Sequence, residues 1–290
     1  MNREDFPALY LSADEASAAA QSTHLNLIRA QFALLVAASG LSISFDRPND
    51  IYLLYLLVVA ISTALLIYMA VKKPERDWYA CRALAESIKT STWRYMMRAE
   101  PFDGDNENET KRKFSEFLNQ ILKLNSHIQE PISKRPRTGH QITKAMENRR
   151  LDNLNERKNI YRRLRIDDQR NWYVKRTRSN RLSFRFWVIL CVVVQGSAIC
   201  LAAYRILHNG ALDYWPTEPL LVFASSIIGW IQIKKFNELA TAYSLTSHEI
   251  GIASTRLDDV HSESEFSDFV NDTERAFSRE HTQWVARLTE

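Results

Sequence analysis

The apolar residues of this chain are concentrated in a few uninterrupted runs. Residues 51–71, IYLLYLLVVAISTALLIYMAV, contain 21 positions without a charged residue, and residues 186–204, FWVILCVVVQGSAICLAAY, contain 19. A helix of about 20 apolar residues crosses the hydrocarbon core of a bilayer. Both runs therefore predict transmembrane helices, and buried helices in the core of a soluble protein are the alternative interpretation.

Each long run has a shorter apolar run close to it. Residues 30–45 precede the first, separated by DRPND, and residues 219–233 follow the second beyond HNGALDYWPTE. Snorkelling of Arg29 would extend the first short run towards the interface. Linkers of this length allow a chain to turn back, so we predict four transmembrane helices in two hairpins. The predicted spans cover about residues 26–45, 51–71, 186–206 and 218–233.

Basic residues predict the orientation of these spans. The turns within the hairpins carry few positive charges, whereas the opposite ends of the spans carry Lys72-Lys73, KRTRSNRLSFR (175–185) and Lys234-Lys235. Loops rich in Lys and Arg remain on the cytoplasmic side. We therefore expect a multi-pass protein with both termini and the central segment in the cytoplasm. The N-terminal segment has acidic residues where a cleaved signal peptide is basic, so we expect no such signal.

The segments outside the spans predict a helical cytoplasmic layer. In residues 75–98, apolar side chains recur at steps of three and four, the period of an amphipathic helix. Leu151, Leu154 and Tyr161 approximate a heptad pattern, which predicts coiled-coil character in a long basic helix. The predicted fold is all-α: an integral membrane protein with four transmembrane helices in two hairpins and a helical cytoplasmic layer. The predicted cytoplasmic helices cover residues 75–98, 109–130, 141–180, 236–256 and 264–288.

Charge is divided unevenly along the chain, although the net charge is only +4. Residues 134–185 contain 17 Lys and Arg against 5 Asp and Glu, and residues 248–290 contain 4 Arg against 10 Asp and Glu. The acidic C-terminal helices would pack along the basic helix, within one subunit or between subunits, or both faces are simply solvated. The basic segment is also suited to anionic lipid headgroups or an anionic ligand. Nucleic acid is an unlikely partner, because no recognisable nucleic-acid motif accompanies it.

The sequence lacks the motifs of an enzyme. It has no phosphate-cradling glycine loop, no cysteine pair with metal spacing and no nucleophile elbow. The seven histidines are scattered. We therefore predict no catalytic residues, no metal and no cofactor.

Polar and small residues inside the predicted spans are the more informative positions. Gln195 and Ala198 share a face of the third span with Cys191, and Ser225, Gly229 and Gln232 share a face of the fourth. A glutamine in hydrocarbon is costly and usually faces protein or water. These faces either pack helix against helix, as small residues four apart favour, or line an aqueous pore.

Two stretches of the chain resemble two subtypes of one family. WYACRALAESIKTSTWRYMMRAEPF (78–102) follows the first hairpin and looks like the signature of one subtype of the SLATT family of two-transmembrane effector domains. YRRLRIDDQRNWYVKRTRSNRLSFRFW (161–187), with ERAFSREHTQW (274–284), resembles another SLATT subtype. The resemblance implies two related but distinct modules, residues 1–135 and 136–290, rather than a literal repeat.

The resemblance also implies a function. SLATT proteins are regarded as effectors of prokaryotic antiviral defence that permeabilise the inner membrane and stop or kill an infected cell. This implies a pore-forming homo-oligomer in the bacterial inner membrane, triggered by a nucleotide second messenger or a separate sensor protein. A membrane-anchored scaffold that recruits a defence partner without conducting ions is the alternative.

The residues that carry the resemblance are predicted to serve assembly or gating. Their aromatic rings would join the cytoplasmic helices to each other and to the membrane surface, and their charged pairs would link helices. This set comprises Trp78, Tyr79, Arg82, Glu86, Trp93, Trp172, Tyr173, Arg279, Glu280 and Trp284.

Overall fold

The computed structural model describes residues 1–43, 49–208 and 216–289, with side chains as far as Ser278. Every regular element within these residues is helical, which confirms the predicted all-α class for the described part of the chain. The α-helices are α1 (Ala8–Leu41), α2 (Asn49–Lys72), α3 (Pro74–Met96), α4 (Glu107–Leu124), α5 (Gln129–Ser133), α6 (Lys144–Leu151), α7 (Leu154–Tyr161), α8 (Asp168–Leu207), α9 (Thr217–Lys234), α10 (Phe236–Arg256) and α11 (Glu263–Thr289).

Among the described residues, three helical stretches are long and apolar enough to cross a membrane: Ala8–Leu41, Asn49–Met96 and Leu154–Leu207. The helix α9 has 18 residues, with Glu218 in its first turn and Lys234 in its last, and it is not among the three. The fourth span and the two hairpins therefore stay predictions. Residues 44–48 and 209–215, where the turns were predicted, lie outside the described residues.

The first helix is longer than its predicted span. The span was predicted from about residue 26, whereas α1 begins at Ala8. Its first half, ALYLSADEASAAA, is rich in alanine, which has the highest intrinsic helix propensity. A search for long apolar runs does not detect such a segment, because serines and acidic residues interrupt it.

The predicted basic helix over 141–180 is divided. Asp152 is extended, with ψ of 150°, and the side chain of Asn153 accepts a hydrogen bond from the backbone N–H of Glu156, so α7 begins with its own cap. A π-helical turn, Arg162–Asp167, then joins α7 to α8. Leu151, the first heptad position, is 66% exposed, so no continuous coiled-coil seam passes through this segment.

The chain forms two compact units, each built from separated segments. The polar unit comprises Met1–Thr23, Pro74–Asn171 and Ser247–Glu290, and the span unit comprises His24–Lys73 and Trp172–Thr246. The predicted modules 1–135 and 136–290 follow one another along the chain, whereas each unit takes segments from both. Three of the divisions fall inside helices, namely α1, α8 and α10, so each of these helices supplies residues to both units.

The polar unit is organised around α3. Cys81, Ala85 and Ile88 are buried at steps of three and four along this helix, as its amphipathic pattern predicts. The helix packs against α11, α6 and α4. Aromatic side chains close to its C-terminus, among them Trp93 and Tyr95, are fully buried and supply much of the apolar area that stabilises the unit.

The span unit has two small cores and a large exposed apolar surface. One core lies between α8 and α9, and the other combines Ile28, Trp230 and Phe236. Leucine, isoleucine and valine side chains elsewhere on α2 and α8 are exposed. A surface of this kind is unfavourable in water and suits contact with lipid or with other subunits.

Candidate functional site

The contact between α8 and α9 is apolar. Cys191 and Val194 of α8 pack against Ala224 and Ile227 of α9, and the Cys191 Sγ lies 3.9 Å from the carbonyl oxygen of Ala224. Ala198 is buried on the same side of α8. Small side chains at these positions allow the two helices to approach closely.

The predicted polar face of α8 is split by this packing. Cys191 and Ala198 are buried, whereas Gln195 between them is exposed. Ser225 and Gln232 of α9 are also exposed. The three polar side chains therefore lie on the surface of the chain and take no part in its helix packing.

Gly229 packs against α1. A Cβ atom at this position would lie 3.0 Å from Cζ of Phe32, which is closer than ordinary van der Waals contact. The buried serine of α9 is Ser226, whereas Ser225 is exposed. The small-residue pair Ser225–Gly229 therefore does not act as one packing motif within the chain.

A hydrogen bond that the sequence pattern did not predict joins α1 and α2. Gln31 Nε2 donates a hydrogen bond of 2.9 Å to the buried Ser62 Oγ. The Oε1 atom of Gln31 is buried and has no hydrogen-bond partner among the described residues. The sequence signal was a glutamine in one apolar run and a serine in the middle of the next.

Aromatic rings and cations meet on α9. The guanidinium of Arg29 lies 5.1 Å from the centroid of the Trp230 ring, and Lys234 Nζ lies 5.8 Å from it. The rings of Trp187 and Trp230 are 6.3 Å apart. Such clusters are typical of the interfaces where helices leave the hydrocarbon core.

Trp172 and Tyr173 of the predicted assembly set contact α10. Their ring centroids both lie 5.5 Å from that of Tyr243. Arg176 lies over the Trp172 ring at 5.4 Å. These two residues therefore join helices within one chain, and the structure leaves their role in assembly or gating a prediction.

The predicted residues on α3 have different environments. The rings of Trp78 and Tyr79 stack at 4.5 Å. Arg82 pairs with Glu86 on the same helix at 2.5 Å, and its Nη1 lies 3.5 Å from Asp14 of α1. The pair Arg82–Glu86, predicted to link helices, thus lies within α3.

Trp93 belongs to the buried core, where its ring meets that of Tyr161 at 5.8 Å. The side chains of Arg279, Glu280 and Trp284 lie outside the described residues, although the backbone of α11 extends over them.

A buried ion pair lies at the centre of the polar unit. Arg165 and Glu274 are 2% and 0% exposed, and they form two hydrogen bonds, Nη2 to Oε2 at 2.6 Å and Nε to Oε1 at 2.8 Å. The Tyr161 hydroxyl donates to the same Oε1 at 3.0 Å. Two parallel charge-assisted hydrogen bonds are the geometry that best offsets the cost of burying both charges.

This environment raises the pKa values of the arginine and of the tyrosine. Burial disfavours the charge of Arg165, but the adjacent Glu274 carboxylate outweighs it, so the pKa of Arg165 is raised. Burial and the negative charge of Glu274 raise the pKa of Tyr161 well above its usual value. The Arg165 guanidinium therefore stays charged and the Tyr161 phenol stays neutral throughout the physiological pH range.

Two further arginines bind backbone carbonyls at the C-terminal end of α3 and in the turn after it. Arg150 donates to the carbonyl oxygens of Tyr95, Phe102 and Gly104 at 2.7–2.8 Å. Arg157 donates to the carbonyl oxygen of Met97 at 2.7 Å and to Glu263 of α11. Both arginines are buried, so the turn that follows α3 is fixed by side chains from the basic segment.

The basic and acidic segments thus pair within one chain. Arg165 with Glu274, Arg157 with Glu263 and Arg162 with Asp258 all join the basic segment to the acidic C-terminal part. Of the two charge arrangements left open by the sequence, the described residues have the packed one. Helical spacing was no guide to these arginines, because Arg150, Arg157 and Arg165 lie on α6, on α7 and in the π-helical turn, which are not one continuous helix.

These features define a class: an all-helical protein with helices that could span a membrane and a polar helical unit. Comparison with family models gives its family. Residues 7–158 match SMODS and SLOG-associating 2TM effector domain 3, and residues 161–284 match SMODS and SLOG-associating 2TM effector domain 1. The chain belongs to the SLATT family and carries two of its domains in tandem. No curated protein and no solved structure matches it.

The matched domains meet in α7, between residues 158 and 161, and both contribute to each compact unit. In the polar unit, Trp93 of the first domain contacts Tyr161 of the second, and Arg157 of the first pairs with Glu263 of the second. The cores of the polar unit and the span unit are therefore shared between the two domains.

Proposed function

We propose that this protein is a membrane effector of antiviral defence, which assembles into a pore and depolarises the bacterial inner membrane when triggered. The observation that carries the proposal is the exposure of Gln195, Ser225 and Gln232 on otherwise apolar helices. The membership of both halves in a family of two-transmembrane effector domains supports the membrane location and the effector role.

The exposure of these side chains is informative because the outer surface of a transmembrane helix contacts lipid hydrocarbon unless another protein surface or water covers it. A glutamine side chain in contact with hydrocarbon loses its hydrogen bonds to water, which is costly. The packing of α8 against α9 does not cover Gln195. A second copy of the chain or a water-filled path would satisfy it, and a homo-oligomeric pore supplies both.

The proposal includes four spans, with α9 as the fourth. A helix of 18 residues is about 27 Å long at about 1.5 Å per residue, close to the thickness of the hydrocarbon core. The match to two domains of the two-transmembrane kind also supports four spans. The termini and polar segments would be cytoplasmic, as the basic residues beside the spans favour.

In this function the protein acts by assembly rather than by catalysis, and it uses no cofactor. A nucleotide second messenger or a separate sensor protein would supply the trigger. A second candidate is a non-conducting scaffold at the membrane. The size of the polar unit favours it, since that unit has its own aromatic core and a simple pore does not require one.

The test is membrane potential, measured with a voltage-sensitive dye in bacteria that express the protein together with its neighbouring genes and are challenged with phage. Gln195→Leu should abolish the depolarisation that precedes loss of viability. Gln120→Leu is the matched control, because Gln120 is an exposed glutamine on α4 of the polar unit. Equal membrane levels of each variant would be verified by immunoblot.

Depolarisation that survives Gln195→Leu combined with Gln232→Leu would exclude these residues as the pore lining. Protection from phage without any depolarisation would favour the scaffold.

A further inference from the structure

The polar unit contains a cleft of about 670 Å³ that no step of the proposed function uses. Its walls include three arginines, Arg94 of α3, Arg256 of α10 and Arg275 of α11, together with Asp272. Three guanidinium groups against one carboxylate give these walls a formal charge of +2. All four residues belong to the polar unit.

The arginines of the cleft are not neutralised by the described part of the protein. None of the three forms an ion pair with a described carboxylate. Arg256 and Arg275 are exposed, so their unpaired charge alone is unremarkable. The three nevertheless converge on one cavity, and like charges converge at a cost unless a counter-charge joins them.

Arg94 is the unusual member of the group. Its side chain is half-buried, and its Nε is buried without a hydrogen-bond partner among the described residues. Its one described hydrogen bond, from Nη2 to the carbonyl oxygen of Asn271, is long at 3.5 Å. Burial lowers the pKa of Arg94, and the nearby Arg275 adds to this effect against the opposing charge of Glu274. A buried donor on a charged group without a partner is rare in folded proteins and is a sign of a missing acceptor.

Phosphate is the acceptor that this arrangement suits. Guanidinium groups form paired hydrogen bonds to phosphate oxygens, and a formal excess of two positive charges matches a phosphate dianion. The cleft is in the size range of small-molecule sites, about 300–1,000 Å³, so it holds more than inorganic phosphate alone. Asp272 adds an acceptor for a hydroxyl or amino group on the remainder of the ligand.

We propose that the cleft between α3, α10 and α11 binds a small organic phosphate through Arg94, Arg256 and Arg275. The site is distinct from the exposed glutamines of the span unit, so it stands whether or not the protein conducts ions. The phosphate would belong either to a soluble compound or to the headgroup of an anionic lipid.

Titration of the full-length protein in a neutral detergent distinguishes these sources. Calorimetry would measure the binding of adenosine triphosphate as the soluble probe. It would also measure the binding of dihexanoyl phosphatidylglycerol, below its critical micelle concentration, as the lipid probe. Saturable binding of at least one probe is expected, and its affinity should fall as the salt concentration rises.

The variants Arg256→Ala and Arg275→Ala test the location of the site. Each should weaken binding by about tenfold to a hundredfold, the effect of removing one charge-assisted hydrogen bond. Arg163→Ala is the matched control, since Arg163 is an exposed arginine of the polar unit outside the cleft. Arg256 and Arg275 are both exposed, so thermal unfolding of the two variants should match that of the native protein.

The outcomes are separable. Loss of adenosine triphosphate binding in the cleft variants, with Arg163→Ala unaffected, identifies a site for soluble phosphates. The same pattern with phosphatidylglycerol alone identifies a headgroup site. Absence of saturable binding of both probes, or equal weakening by Arg163→Ala, would overturn the proposal.

Discussion

The polar unit encloses its strongest polar groups, with Arg165 and Glu274 at its centre, whereas the span unit exposes Gln195 and Gln232 on its surface. The apolar residues show the opposite distribution, since the polar unit encloses Trp93 and the span unit exposes Leu53. A charged pair is tolerated inside a protein when the two charges meet in good geometry and share hydrogen bonds, as the Nε and Nη2 atoms of Arg165 do with Glu274. A polar side chain on an apolar helix needs a partner from outside the chain. The difference shows that the polar unit pairs its buried charges Arg165 and Glu274 within the chain, while the exposed apolar surface of the span unit suits lipid or other subunits.

The largest loss of stability is expected when the buried ion pair of the polar unit is broken. Glu274→Ala leaves Arg165 buried without a counter-charge, and removing one partner of such a pair costs about 3–5 kcal/mol of unfolding free energy. The midpoint of thermal unfolding of the full-length protein in detergent, followed by circular dichroism, should fall by many degrees. Glu116→Ala is the control, because Glu116 pairs with Arg112 at the surface, and it should have little effect.

A smaller effect is expected at the carbonyls after α3. Arg150→Met removes the donor for three backbone oxygens and should cost about 3 kcal/mol, since buried acceptors would lose their partners. The same thermal measurement applies. The neighbouring Arg149 is partly exposed and pairs with Asp152, so the same substitution there, Arg149→Met, is the matched control. A midpoint unchanged by Arg150→Met would contradict the role assigned to these bonds.

The smallest changes in stability are expected at two glycines of the span unit, and they should differ in sign or size. Gly229→Ala places a methyl group 3.0 Å from the Phe32 ring and should destabilise the unit by about 1–3 kcal/mol. Gly196→Ala has nothing within 4 Å of the added atom, so the higher helix propensity of alanine should leave stability unchanged or raise it by up to about 1 kcal/mol. Urea unfolding in detergent would measure both. A result in which the two variants behave alike would mean that α1 does not pack on α9 through Phe32.

The same contrast explains what the sequence could predict. Long apolar runs identify α2 and the apolar part of α8, because no other common segment excludes charge for about 20 residues. The first half of α1 was missed, because its serines and acidic residues interrupt the apolar pattern. The basic segment was predicted as one helix, but a single capping residue, Asn153, begins a new helix within it.

The candidate site was harder to predict for a related reason. Gln195 and Cys191 share one face in a helical projection, yet packing against α9 buries the cysteine and leaves the glutamine exposed. Periodicity places a residue on a face but does not give the partner of that face. Likewise, composition cannot distinguish the buried Arg150, Arg157 and Arg165 from arginines in water, and the helix break at Asp152 removes any common face from which their spacing could be interpreted.

The shared cores have a consequence for any assembly of this protein. Trp93 and Tyr161 come from different family domains yet meet in one core, so the two unequal domains would enter an assembly together as one chain. A ring of such chains would contain twice as many SLATT domains as chains, with the two kinds alternating around it. The order of its rotational symmetry would equal the number of chains. A substitution in one domain would therefore alter every second domain around the ring. A pore lined by such a ring would present different side chains from neighbouring domains, which a ring of identical single domains cannot do.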